Sequence, residues 1–328
     1  MLSTPDFRAK NIAFLNASAL GATSISFRNE NIVITRDGAT HDKIPLRNLL
    51  AIFLYGNTTI STPLLDKCAT HGTSLFFLTR NLRTYASINA AAEGNYILRQ
   101  RQYELSENDA LHLARHIVMN KVTNQLALLR SVNINTIRDK RRMQYKNDIR
   151  TAITNAENTA TLRGIEGTVS RDFFGLYFGT IGWYKRIPRE RTDPNNILLD
   201  MGYSMLFNFT DALLRLYGFD VYKGIYHRLY YQRKSLSCDM MEPFRCIIDR
   251  ALYKMHTLKQ YDKKIFAESG GVTILILENR ISMREYFYVP LCIIKCLFTN
   301  IYEVYTIKFS ITMGTLIHLQ FANNTYLC

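Results

Sequence analysis

The sequence predicts an α+β protein, with a small, sandwich-like, β-rich N-terminal domain followed by a larger, mainly α-helical domain. The first part of the chain consists of short β-favouring runs separated by turn signals. From about residue 93 the apolar residues instead recur at helical spacing. A chain of 328 residues, 47% of them hydrophobic, is long enough for two domains with cores of their own. We therefore predict domains at residues 1–92 and 93–328.

The N-terminal domain is predicted to contain hairpins and one short helix. Asn29-Glu30 separates two β-favouring runs and Asp37-Gly38 follows the second, which is typical of hairpin turns. Ser61-Thr62-Pro63 indicates the start of a helix, because proline is tolerated in a first turn, and Gly72 indicates its end. The predicted strands are residues 11–15, 24–28, 31–35, 49–54, 74–78 and 84–88.

The second domain is predicted to be built from amphipathic helices. Apolar residues approximate helical spacing from Leu98 to Leu129, and residues 197–217 form a long apolar-patterned helix that ends at Gly218. An irregular basic loop at residues 185–194 divides two of the helices. After about residue 270 the chain becomes more apolar, and we assign no structure to this tail.

The net charge of +14 is concentrated in the middle of the chain. Residues 98–150 carry 11 Lys/Arg against 5 Asp/Glu, and residues 151–266 carry 17 against 12. A basic surface of this kind indicates a polyanion partner, most often nucleic acid, although solubility alone is an alternative explanation. Two basic clusters are candidate DNA-backbone contacts, and a solvated helix face is the alternative for the first: Arg138, Lys140, Arg141 and Arg142, then Lys185, Arg186, Arg189 and Arg191.

The sequence has no feature of a membrane or secreted protein. It contains no run of eighteen uncharged apolar residues, and its first residues do not form a signal-peptide core. Its six cysteines include no Cys-x-x-Cys pair, so we interpret them as reduced core residues. We expect a cytoplasmic protein that does not bind membranes.

The stretch from Gly224 to Arg245 contains residue types suited to holding a divalent metal ion against a phosphate. His227-Arg228 is followed by Asp239 and Glu242, whose spacing places them on one face of a helix. The same spacing ahead of an apolar run is also that of a capping box at a helix start. The two interpretations are compatible and both stay open, because a capping residue can still turn an oxygen outward.

Five motifs in register resemble the CRISPR adaptation integrase family, CRISPR-associated protein one. The resemblance covers about residues 5 to 265 and fades after Gly270-Gly271. Each motif is weak alone, but their order along the chain is specific to the family. The motifs are Glu93-Gly94-Asn95 leading into Leu98-Arg99, Arg163-Gly164-Ile165-Glu166-Gly167, Pro194-Asn195-Asn196 followed by Gly202-Tyr203, Gly224-Ile225-Tyr226-His227, and Asp239-Met240-Met241-Glu242-Pro243-Phe244-Arg245.

The resemblance implies a catalytic helical domain, an N-terminal dimerisation domain and a Mg²⁺ or Mn²⁺ site. Matched motif by motif, the metal ligands are Glu166, His227 and Glu242, and Asp239 is an accessory catalytic acid. Arg228 and Arg245 would contact the DNA phosphates. The implied partners are double-stranded DNA, as donor fragment and CRISPR repeat, a second copy of the chain, and a small ferredoxin-like adaptation subunit.

The implied reaction is attack of the 3′-OH of a DNA fragment on a repeat phosphodiester, once on each strand. Two carboxylates and one imidazole leave positions open on a hard cation, so phosphate and hydroxyl oxygens can enter. From the residues alone, Glu166 would be a solvated helix residue and His227 a hydrogen-bonded core histidine. A metal-dependent nuclease that hydrolyses branched or single-stranded DNA, and a nucleic-acid-binding protein without catalysis, remain alternatives.

The two basic clusters generate a prediction about salt dependence. If residues 138–142 and 185–191 bind phosphates, neutralising either cluster weakens binding to unrelated DNAs alike, because interactions with the DNA backbone carry no sequence information. The slope of log affinity against log salt should also flatten by about 0.9 for each phosphate that is no longer neutralised on duplex DNA. Fluorescence anisotropy titrations between low and high salt measure both quantities. An unchanged slope would return both clusters to solvated surface.

Overall fold

The computed structural model describes most of the chain up to residue 275. The described residues are 10–16, 23–79, 83–89, 96–132, 139–183, 185–189, 193–227, 229–259, 266–269 and 272–275. The backbone alone is described at 14, 16, 55, 139–146, 266–269 and 272–275. Arg138, Arg191 and Arg228, the motif at residues 93–95 and the apolar tail lie outside them. Two compact units are present: the first contains described residues of 1–104 and 208–221, the second those of 105–207 and 222–275.

The first unit confirms the predicted strands and adds two that the sequence did not indicate. The fourth strand was missed because its side chains are exposed except for half-buried Ile44, so it has no apolar alternation. The sixth strand spans only two residues. The elements are β1 (Asn11–Asn16), β2 (Thr23–Arg28), β3 (Asn31–Arg36), β4 (Ala39–Pro45), β5 (Leu49–Tyr55), β6 (Thr59–Ile60), α1 (Thr62–His71), β7 (Ser74–Leu78), β8 (Thr84–Ile88) and α2 (Tyr96–Tyr103).

The strands form two sheets that enclose one core, as the predicted sandwich-like domain requires. One sheet has the order β1-β5-β7-β8 and the other β4-β3-β2-β6. Ile25 and Ile32 from one sheet, Ile52 from the other, and Leu64 from α1 are all buried in the same cluster. Because α1 supplies part of this cluster, it closes the core between the sheets. Cys68 lies in the same cluster, and burial raises the pKa of its thiol to about 12.

The two hairpin turns have the conformation that the sequence predicted. Asn29 and Glu30 have φ of 48° and 60°, and Asp37 and Gly38 have φ of 48° and 81°. Positive φ at both central residues is the mark of the turn whose twist matches antiparallel strands. These turns fix β2, β3 and β4 in antiparallel register. Gly72, at φ 71°, ends α1 as predicted.

The second unit is mainly helical. Its described elements are α3 (Glu107–Ser131), α4 (Asp139–Thr154), α5 (Thr159–Gly179), the first part of α6 (Pro194–Tyr217), α7 (Ser235–Met241), a 3₁₀ turn (Glu242–Phe244), α8 (Arg245–Thr257), β9 (Phe266–Ser269) and β10 (Val272–Leu275). The long helix predicted at 197–217 is confirmed as α6, and Gly218 follows it at φ 91°. The predicted boundary at 92/93 falls among undescribed residues and stays a prediction.

Side chains of α3, α4 and α5 form the core that positions the site. Val118 and Val122 from α3 pack with Ile153 from α4 and Leu162 from α5, and Tyr226 joins the same cluster. Helix α3 therefore has one face against α4 and α5, which is where polar residues on that face become buried. In the part of the chain described here, no helix is long and apolar enough to cross a membrane.

Candidate active site

Two predicted metal ligands converge on a buried lysine. Lys121 on α3 donates from Nζ to Glu242 Oε2 at 2.7 Å and to Glu166 Oε1 on α5. Lys121 is 8% exposed and Glu242 is 4% exposed. A buried charge is tolerated only when it is paired. The Lys121 ammonium is the paired charge for both carboxylates. The structure therefore brings together Glu166 and Glu242, which are far apart in sequence.

Nearby opposite charges keep Glu242 and Lys121 ionised although both are buried. Burial opposes ionisation of Glu242, but Lys121 and Arg245 outweigh it and lower the pKa of this carboxyl to about 2. Burial also disfavours the Lys121 ammonium, yet Glu242 and Glu166 raise its pKa above the ordinary lysine value. Glu242 is thus a carboxylate at neutral pH, which is the form that binds a cation.

Tyr226 holds the second oxygen of Glu166. Its hydroxyl donates to Glu166 Oε2 at 2.5 Å, while its ring packs in the core shared by α3, α4 and α5. Both oxygens of Glu166 are therefore engaged, one by Lys121 and one by Tyr226. These contacts fix the direction in which the carboxylate points, because the tyrosine ring itself is buried.

Asp239 organises the loop that carries His227. Its Oδ2 accepts hydrogen bonds from the backbone N–H groups of Ile225 at 2.6 Å and Tyr226 at 2.9 Å. Its Oδ1 accepts from the backbone N–H of His227 at 2.9 Å and lies 2.5 Å from Nδ1 of the same residue. A carboxylate can only accept, so Nδ1 carries a proton and donates to Asp239.

This geometry decides the alternative left open at Asp239. Asp239 is fully buried inside α7, and it caps the loop at residues 225–227 rather than the start of a helix. The capping-box interpretation is therefore wrong for this residue. Asp239 contacts His227 and has no oxygen turned to solvent, and its accessory catalytic role stays a prediction.

Arg245 pairs with Glu242 from the other side. Its Nε lies 2.9 Å from Glu242 Oε2, and its guanidinium carbon lies 4.7 Å from the centre of the Tyr203 ring. Tyr203 donates in turn to Asp249, whose pKa is raised to about 7 because burial outweighs the nearby cations and this hydrogen bond. Arg245, whose side chain is 31% exposed, thus links Glu242 to buried Tyr203 and Asp249.

Comparison with known proteins identifies the family. A family model described as CRISPR associated protein Cas1 matches residues 21–284, a range that contains every site residue above. The chain belongs to the Cas1 family. The resemblance drawn from the five motifs is thereby confirmed.

One relative and three solved structures are similar to the chain. The CRISPR-associated endonuclease Cas1 1 of Thermodesulfovibrio yellowstonii is 32% identical over 250 residues, covering 72% of this chain and 78% of that protein. A CAS1 protein from Thermotoga maritima superposes with a TM-score of 0.71 at 18% identity, covering 93% of this chain and 99% of that chain. A chain of a partial Cas6-RT-Cas1–Cas2 complex gives 0.70 at 23%, covering 94% and 100%. A casposase bound to integration product gives 0.64 at 17%, covering 85% and 82%. These structural likenesses show the fold, and the predicted α+β class is confirmed.

The basic residues predicted to bind DNA occupy different environments in this Cas1-family chain. Lys185 and Arg189 are exposed. Arg186 is only 11% exposed, and it donates to Asn196 Oδ1 at 2.7 Å and pairs with Asp200. Its contacts hold the loop onto α6. Lys140, Arg141 and Arg142 lie on α4, where the backbone alone is described. The DNA-binding role of all these residues stays a prediction.

Two site residues were missed by sequence reasoning. Sequence analysis did not select Lys121, although it stands three residues after Val118 and one before Val122, both buried. Its position between these two apolar residues was the sequence signal that Lys121 faces the core. Tyr226 belongs to a family motif as the neighbour of His227, and nothing local in the sequence indicates that its hydroxyl meets Glu166.

The packing around Gly224 generates a prediction. A Cβ at Gly224 would lie 2.6 Å from Ser235 Cβ and 3.0 Å from Asp239 Oδ2, whereas a Cβ at Gly164 on α5 would meet nothing within 4 Å. Gly224→Ala should therefore lower the free energy of unfolding by about 1–3 kcal/mol through overpacking. The matched control Gly164→Ala should leave it unchanged or raise it by up to about 1 kcal/mol, since alanine favours helix. Chemical denaturation measures both, and equal effects would contradict the close packing of this loop.

Proposed function

We propose that this protein is a metal-dependent DNA integrase that inserts short DNA fragments into a CRISPR array. The observations that carry the proposal are the convergence of Glu166 and Glu242 on one buried cation and the orientation of His227 by Asp239 through Nδ1. The relative named an endonuclease and the casposase bound to integration product both support DNA strand chemistry on this fold. A nuclease that hydrolyses DNA is the second candidate, favoured by the relative's name.

The side chains present fit a divalent ion, Mg²⁺ or Mn²⁺. The ammonium of Lys121 is a stand-in cation, because it lies between the same two carboxylates that would bind the ion. Glu166, Glu242 and His227 would hold the ion, which is a donor set of two carboxylates and one neutral imidazole. Such an ion, when bound, polarises phosphoryl oxygens and stabilises a leaving oxygen. Among the described residues, no three His, Cys, Asp or Glu side chains are already arranged as a metal site.

The chain's own residues supply orientation. Tyr226 fixes Glu166, and Asp239 fixes both the loop and the tautomer of His227. Exposed Lys185 and Arg189 would contact the DNA backbone and set its register on the protein. Positioning of this kind converts the encounter of a 3′-OH and a phosphodiester into an effectively intramolecular step.

The proposed step is a transesterification at phosphorus. The oxygen of the donor's 3′-OH forms a bond to the repeat phosphorus, and the bond from that phosphorus to the repeat's own 3′-oxygen breaks. The attacking hydroxyl loses its proton and the leaving oxygen gains one. One phosphodiester replaces another, so the step needs no external energy source.

The proposed assembly contains a homodimer and a second subunit. A structure that resembles this chain is part of a complex that also contains Cas2, which supports Cas2 as the adaptation subunit expected from the sequence. The homodimer and double-stranded DNA as donor and target belong to the same proposal.

Removal of each proposed ligand tests the site. Glu166→Ala, His227→Ala and Glu242→Ala should each lower strand joining by roughly 10²-fold or more, since all three act on one ion. DNA binding, measured by gel shift, should stay near wild type. The matched control is Asp172→Asn, an exposed carboxylate on the same helix as Glu166, which should join strands normally. Full activity in any of the three alanine variants would contradict the assignment.

Asp239 gives a distinct result in the same assay. Asp239→Ala leaves the loop N–H groups without their buried acceptor and should destabilise the fold. Asp239→Asn keeps an acceptor and should reduce joining by about 10- to 100-fold, as for a residue that orients a ligand. If Asp239→Asn instead proves completely inactive while Glu242→Ala is active, the roles of the two carboxylates are exchanged.

A blocked donor separates integration from hydrolysis. An integrase uses the donor's 3′-OH as nucleophile, so a donor ending in a 2′,3′-dideoxynucleotide should bind yet give no joined product on a repeat-containing target. The same donor with a free 3′-OH should be joined in Mg²⁺ or Mn²⁺, with Cas2 added. Denaturing gels of labelled target measure the products. Equal target cleavage with the blocked donor, or with no donor, would favour the nuclease.

A further inference from the structure

Lys121 is the one cation that contacts both Glu166 and Glu242 among the described residues. Its Nζ lies 2.7 Å from Glu242 Oε2 and donates also to Glu166 Oε1. It reaches them from α3, a helix that supplies neither of the two carboxylates. Two further buried polar side chains follow on α3. Asn124 donates to the backbone oxygen of Pro243 at 2.8 Å, and Gln125, four residues after Lys121, donates to Ser170 at 3.4 Å.

Without Lys121 the two carboxylates would be poorly compensated. Arg245 contacts Glu242, and Tyr226 contacts Glu166, but neither bridges the pair. Two like charges held close together in a buried setting repel strongly, because the surrounding dielectric is low. The position between Glu166 and Glu242 therefore requires a positive charge, which Lys121 supplies when no metal ion is bound.

We infer that Lys121 is an internal counter-cation, which holds Glu166 and Glu242 in place before a divalent ion binds and releases them when the ion enters. The inference rests on the proposed function, since it takes the ion to bind the same two carboxylates. Lysine is suited to this exchange, because its ammonium is a point charge on a flexible four-carbon stem. The ammonium and the ion compete for the same oxygens, so metal binding includes the cost of breaking the lysine contacts.

This exchange predicts opposite effects of one substitution. Lys121→Met removes the positive charge and keeps an unbranched side chain, so the metal-free protein should become less stable. The ion no longer has a competitor, so Mn²⁺ should bind about tenfold more tightly than to wild type. Lys121→Arg keeps the charge and should bind Mn²⁺ no more tightly than wild type. A merely structural lysine would lower stability without tightening metal binding.

The experiment measures Mn²⁺ affinity and thermal unfolding on the full chain. Electron paramagnetic resonance of free Mn²⁺ gives the dissociation constant, and unfolding with chelator or with saturating Mn²⁺ gives the shift in Tm. Lys121→Met should show a lower Tm in chelator and a larger rise with Mn²⁺ than wild type. Gln125→Met, a buried polar residue one turn along the same helix, is the matched control and should keep wild-type Mn²⁺ affinity.

The outcomes separate this inference from the proposed function. If wild type binds Mn²⁺, His227→Ala does not, and Lys121→Met binds no more tightly than wild type, the inference falls and the metal site stands. If wild type binds no Mn²⁺, both fall. Lys121→Met that is unfolded in chelator and folded with Mn²⁺ supports the exchange. If Lys121→Met is unfolded both in chelator and with Mn²⁺, Lys121→Gln is tested in its place. Tighter Mn²⁺ binding by Lys121→Gln than by wild type is expected, and unchanged binding would overturn the inference.

Discussion

The candidate site depends on the pairing of one buried ammonium with two carboxylates. Lys121, Glu166 and Glu242 come from α3, α5 and a 3₁₀ turn, so their ion pairs tie together segments that are distant in sequence. Apolar packing between α3 and α5 brings these elements close, but it cannot by itself keep two carboxylates side by side. The positive charge makes that arrangement favourable, and the pKa of Glu242, lowered to about 2 despite its burial, reflects the same balance.

A second buried carboxylate, that of Asp239, provides hydrogen-bond acceptors for a loop. The loop at residues 224–227 has no regular secondary structure, so its backbone N–H groups need acceptors from elsewhere. The two carboxylate oxygens of Asp239 accept hydrogen bonds from three of these N–H groups and from the ring of His227. The close approach of Gly224 to Ser235 allows this geometry, because any side chain at that position would push the loop away. The imidazole is therefore oriented by a residue that is itself fully buried.

The sequence predicted the parts of this protein that follow local rules. Strands with apolar alternation and turns with residues that tolerate positive φ were found, whereas β4 was missed because its side chains face solvent. Glu166, His227 and Glu242 came from the family resemblance, since no local spacing joins them. Lys121 could not be recognised, because a lysine on an amphipathic helix is usually solvated and its burial depends on partners contributed by other segments. The capping pattern predicted the wrong role for Asp239, because its carboxylate accepts hydrogen bonds from the loop at residues 225–227 and not from the start of a helix.

The distribution of charge is better understood from the contacts than from the total. Arg186 and Arg245 contribute to the net charge of +14, and each also forms an ion pair, Arg186 with Asp200 and Arg245 with Glu242. Part of the positive charge is therefore matched by carboxylates of the same chain. Lys121 and Arg245 together match the charges of Glu166 and Glu242, so the metal-free site does not present two unpaired carboxylates to an approaching phosphate backbone. Lys121 and Arg245 thus neutralise carboxylates that would otherwise repel the DNA backbone at the proposed site of its chemistry.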